Sequence, residues 1–70
     1  MKIFTQNRKY LIEMPRNIWA ANYGNRAGIF CSNSSISHLG EYRKSRALEV
    51  LEEITEAYQN NESVFYMPQY

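Results

Sequence analysis

Seventy residues with one Cys, one His and no Asp rule out most catalytic and metal-binding toolkits together. No Ser-His-Asp triad, paired-Asp magnesium site or zinc ligand set can be assembled from them. The formal net charge of +1 conceals a division: all eight Lys and Arg lie in residues 1–46 against two Glu, whereas residues 47–70 carry five Glu and no base. A one-signed half attracts a ligand of opposite sign even in a nearly neutral molecule, so an anionic partner is expected on the basic half.

Residues 2–6 and 10–14 read as two strands turning at Asn7-Arg8-Lys9, and Pro15 ends the second because it cannot donate to a ladder. Residues 18–23 and 27–32 form a second hairpin, with Gly24-Asn25 supplying the positive φ of a two-residue turn. Asn33-Ser34 turns the chain into a strand over 35–39, which Gly40 breaks. Ala47, Val50, Leu51, Ile54, Ala57 and Tyr58 then recur at helical spacing. Ser45 is placed to cap that helix, and Asn60-Asn61 to end it in the left-handed conformation. Its outer face, Glu49, Glu52, Glu53 and Glu56, reads as a solvated surface or as an acidic stripe for the basic sheet of a neighbouring subunit. Residues 64–67 make a last short strand before Pro68. The expected fold is α+β, a single domain over residues 1–70 in the order β-β-β-β-β-α-β: a small antiparallel sheet of five to six strands with one amphipathic helix on one face.

The N-terminus is too short and polar for a signal peptide, and no run of about 18 apolar residues exists. The expectation is a cytoplasmic protein with a reduced Cys31 and no membrane partner. Gly24, Gly28 and Gly40 fit neither phosphate-loop pattern, and no cofactor is expected.

A Gly24-Asn25 turn pairs Tyr23 with Arg26, Ala21 with Gly28 and Trp19 with Phe30, all on one face. The other face then holds Ile18, Ala20 and Asn22 with Ala27, Ile29 and Cys31, which suits packing under an Ala/Val/Leu/Ile helix. A single helix covers only one face, and large apolar patches are rarely left bare, so the aromatic face is expected to meet another subunit or a ligand. A domain this small has a thin core, which also favours a homo-oligomer. If Asn33-Ser34 is a two-residue turn, Cys31 and His38 become diagonal neighbours on the core face. That is the composition of a nucleophilic dyad, but a buried apolar thiol is inert, and a packed thiol beside a hydrogen-bonded histidine is the expectation.

The constellation with chemical meaning is aromatic plus basic: Trp19, Tyr23, Phe30 and Arg26, flanked by Arg8 and Arg16. Aromatic rings stack on bases, and Arg forks match phosphate. The same composition suits a plain subunit interface, a nucleotide or nucleic-acid site, or a protein partner, and these stay open at the level of sequence.

The start Met1-Lys2-Ile3 with Gln6, then Leu39-Gly40-Glu41-Tyr42, Arg46-Ala47, Glu49-Val50-Leu51, Glu53-Ile54, Ala57-Tyr58 and the ending Val64-Phe65-Tyr66-Met67-Pro68 resemble a group of small proteins of phages, prophages and Gram-positive bacteria. The similarity is concentrated in residues 39–68. It implies one compact intracellular domain in a phage or prophage context, and carries over no catalytic residue. Tiny non-enzymatic phage proteins often act by stoichiometric binding. The resemblance therefore implies an accessory, anti-defence role: sequestration of an anionic nucleotide such as a cyclic nucleotide messenger, with nucleic-acid binding or inhibition of a host protein as alternatives.

Overall fold

The computed structural model describes all residues, 1–70. Six strands and one helix follow in the expected order: β1 (Lys2–Phe4), β2 (Leu11–Glu13), β3 (Ile18–Tyr23), β4 (Arg26–Cys31), β5 (His38–Arg43), α1 (Lys44–Gln59) and β6 (Val64–Tyr66). They form two three-stranded sheets, β2-β1-β6 and β3-β4-β5, instead of one. All pairings are antiparallel except β1 with β6, which is parallel. A parallel neighbour needs a long return connection. The helix between β5 and β6 provides it, carrying the chain back to the open edge of β1.

Gln6 stitches the two sheets together. Its backbone N–H donates to the Leu39 carbonyl at 2.9 Å. Its side-chain Oε1 accepts from the Glu41 N–H at 2.8 Å, and its Nε2 donates to the Glu41 carbonyl at 3.2 Å. This explains Gly40, which was expected to break a strand but lies inside β5. A Cβ there would fall 3.1 Å from Gln6 Cβ and 2.9 Å from Tyr42 Oη, so the glycine permits the close approach of β1's extension.

The chain before β5 also departs from expectation. Asn33 Oδ1 accepts from the Ser35 and Ile36 N–H groups, an Asx-type turn that makes the connection longer than two residues. The pairing then shifts between Ile29 and Phe30: Ile29 faces Gly40 while Phe30 faces His38, leaving Leu39 as the extra residue of a bulge. Leu39 is buried and His38 is turned out to solvent. Cys31 and His38 therefore lie on opposite faces, and the diagonal pair expected from sequence does not form. The buried Cys31 thiol donates to the Ile36 carbonyl at 3.2 Å.

Eleven buried residues from both sheets and the helix make one core cluster, including Ile3, Ile12, Ile29, Leu39, Tyr42, Val50 and Ile54. The helix packs across β3, β4 and β5. Ala47, Val50 and Ile54 are its buried residues; Leu51 is half-buried and Tyr58 exposed, so the packed stripe is narrower than its apolar pattern. Ser45 lies within the first turn and does not cap it. The N-cap is Arg43, extended and without a side-chain cap bond. The C-terminal end follows expectation. Asn61 has φ 57°, and the Glu62 and Asn61 N–H groups donate to the Ala57 and Tyr58 carbonyls, a Schellman motif. No helix is long and apolar enough to cross a membrane.

Candidate ligand-binding face

The β3–β4 register is the expected one: Tyr23 opposite Arg26, Ala21 opposite Gly28, Trp19 opposite Phe30. Gly24 has φ 61° and Asn25 does not share it, which fits a type II′ turn with Gly first. Ala27, Ile29 and Cys31 are buried beneath the helix. The opposite face is uncovered: Trp19 is 46% exposed and Tyr23 47% exposed. The sheet thus has one packed and one open side, and the bulge in β5 adds His38 to the open one.

On that face the side chains form cross-strand rows. At one end Trp19 stacks on Phe30 with ring centroids 6.5 Å apart and planes 27° apart, and Phe30 meets His38 at 5.1 Å. In the middle row, Gly28 lies under the Phe30 ring; a Cβ there would be 2.7 Å from Phe30 Cε2. At the far end Glu41 gathers two predicted residues. Tyr23 Oη donates to its Oε1, and Arg26 Nε donates to its Oε2 at 2.7 Å. The bond to Glu41 pushes the Tyr23 phenol up, because ionising it would place two anions together. The hydrogen bonds from Tyr23 and Arg26 in turn hold the Glu41 carboxyl below its ordinary range.

Four of the six residues singled out from sequence, Trp19, Tyr23, Arg26 and Phe30, share this face. The two flanking arginines do not join them. Arg8, at φ 60° in the β1–β2 turn, donates from Nη1 to the Thr5 and Met67 carbonyls, each at 2.9 Å. Its guanidinium lies over the Phe4 and Tyr66 rings, at 5.6 and 5.4 Å from their centroids. It ties the turn to the chain leaving β6. Arg16 follows Pro15 on the helix side of the molecule, along a groove with Met14, Ile18, Leu51 and Tyr58.

Sequence reasoning missed His38, Glu41 and Arg43 on the open face. The bulge hid His38, whereas strand alternation through Gly40 would have placed Glu41 and Arg43. Arg43 stands directly opposite Arg26. A cleft of about 220 Å³ opens beside this pair, lined also by Gln6, Glu41, Arg46, Gln69 and Tyr70. No group of three or more His, Cys or Glu side chains converges as metal ligands would. The face is thus suited to stacking and anion contact. Searches of protein-family models, curated proteins and solved structures returned no match to this chain.

Proposed function

We propose that this is a non-enzymatic, phage-type accessory protein of the host cytoplasm that sequesters an anionic nucleotide at the interface of a homo-oligomer, countering a host defence signal. The observation that carries the binding part is the joint placement of a stacked aromatic row and an arginine row on one uncovered sheet face. The rows are four residues apart along the strands, about 13 Å at ~3.3 Å per residue. A ligand touching both rows has to set a base and a phosphate well apart, and on that ground a cyclic di- or trinucleotide is preferred to a nucleoside monophosphate. The half-exposed Trp19 and Tyr23 support the oligomer, because a second copy laid over them would bury the patch and close the ligand in. The phage and anti-defence part is supported by the sequence resemblance alone.

An open three-stranded sheet with stacked aromatics also suits single-stranded nucleic acid, the second reading. Calorimetric titration with cyclic di- and trinucleotides, for wild type and Trp19→Ala, tests the first. Heat from wild type that weakens at least about tenfold in Trp19→Ala supports the stacking platform. Absence of heat from a well-folded oligomer leaves these aromatics as subunit interface and favours a host-protein partner. Affinity for oligonucleotides that falls steeply with salt, by counterion release, favours the nucleic-acid reading.

A further inference from the structure

The cleft beside the uncovered face holds a charge arrangement that the fold does not need. Arg26 and Arg43 are directly opposite one another across β4 and β5, and like charges in that position are destabilising. Only one of them is neutralised. Glu41 accepts from Arg26 Nε at Oε2, 2.7 Å away, and from Tyr23 Oη at Oε1, and neither oxygen is bonded to Arg43. Arg46, on the helix side of the cleft, is compensated by Glu53 at 2.6 Å and Glu49 at 3.1 Å. Arg43 is exposed and makes no ion pair and no side-chain hydrogen bond. The next residue, Lys44, adds a second uncompensated cation.

The walls around this guanidinium are fixed. Gln6 Nε2 donates to the Glu41 and Gln69 carbonyls at 3.2 and 2.9 Å, and Gln69 Nε2 returns a bond to the Gln6 carbonyl at 3.3 Å. Arg46 Nε donates to the main-chain oxygen of Tyr70 at 2.9 Å. The resulting space of about 220 Å³ is several times the ~30 Å³ that one water occupies in the liquid. A phosphate group enters such a space readily, and the planar Arg fork matches its oxygens.

We propose that Arg43, with the free donors of Arg26, forms a phosphate-binding subsite in this cleft, taking the anionic end of a phosphate-bearing small molecule whose organic part lies along the Trp19 face. The subsite rests on the nucleotide reading only for which molecule carries the phosphate. Bound phosphate would lie between the two opposed guanidiniums and remove their repulsion.

The test titrates inorganic pyrophosphate at low salt into wild type, Arg43→Gln, Arg43→Lys and Lys9→Gln, read by calorimetry and by the shift in melting temperature. Wild type and Lys9→Gln, which loses a cation that does not line the cleft, should bind alike and gain melting temperature with pyrophosphate. Arg43→Gln should melt no lower than wild type without ligand, because it relieves the repulsion, yet lose at least tenfold in pyrophosphate affinity. Arg43→Lys, with charge but no fork, should fall between. Absence of pyrophosphate binding to wild type, equal binding by Arg43→Gln, or an equal loss in Lys9→Gln would each overturn the subsite. Pyrophosphate binding that depends on Arg43, without any cyclic nucleotide quenching Trp19 fluorescence, keeps the subsite and removes the nucleotide reading. Quenching by a cyclic nucleotide that is indifferent to Arg43→Gln does the reverse.

Discussion

Gly28→Ala is the sharpest probe of how the aromatic row is built. Gly28 has no positive φ, so alanine meets no backbone strain there and by itself favours the strand by ~0.5–1 kcal/mol. Its Cβ, however, would lie 2.7 Å from Phe30 Cε2, 2.9 Å from Phe30 Cζ and 3.4 Å from His38 Nε2. The ring has to move. Overpacking costs ~1–3 kcal/mol, and Phe30 is only half-buried, so its ring can swing outward and keep the cost near the lower end. Leaving Trp19 forfeits part of an aromatic pair worth ~0.5–1.5 kcal/mol. The net expectation is a loss of about 1 kcal/mol in urea unfolding, with a changed emission from Trp19, the chain's single tryptophan. In a Phe30→Ala background the same substitution should become neutral or stabilising, a coupling of ~1–2 kcal/mol in the double-mutant cycle. Gly28→Ala that stabilises the wild type and leaves Trp19 emission unchanged would mean that the Phe30 ring does not rest on Gly28.

Two further outcomes follow from the core. Ile54→Ala, at a buried helix position, should cost ~2–5 kcal/mol in urea unfolding, Leu51→Ala at its half-buried position less, and the exposed Glu52→Gln under ~0.5 kcal/mol. Equal losses for Ile54→Ala and Leu51→Ala would mean that the helix is rotated about its axis. Burial pushes the Tyr42 phenol up to about 12, while an unfolded tyrosine ionises near pH ~10. The raised value means that its contribution is complete below pH ~10 and is lost as pH rises toward 12. Tyr42→Phe should reduce that alkaline decline in melting temperature, with the raised Tyr23 phenol contributing to what remains; an unchanged slope would assign the whole decline to other groups.

Much of the open face was legible in sequence because its determinants are local. Gly24 sets the turn, the turn sets the register, and alternation then brings Trp19, Tyr23, Arg26 and Phe30 to one side. The helix was legible from its periodicity and its Asn61 ending, but the depth of its packing was not, since Leu51 and Tyr58 lie over a groove whose floor comes from distant residues. Strand partnership is non-local. Nothing in the residues of β6 says that it lies parallel to β1 in a separate sheet, and that choice took Arg8 to the Met67 carbonyl and away from the expected site. Gly40 was misread because a glycine that breaks a strand and one that admits Gln6 against β5 look alike in sequence. The bulge at Leu39 had the same effect on His38, since one extra residue reverses a side chain's face.

Whether the Trp19 face holds an anionic nucleotide between copies of the chain is read by native mass spectrometry of the protein titrated with cyclic di- and trinucleotides. That measurement reads subunit number and bound mass together. A dimer or larger closed assembly should retain the nucleotide, and the adduct should be lost in Trp19→Ala while the fold persists. A monomer that carries no nucleotide at any concentration at which it remains folded would contradict that expectation.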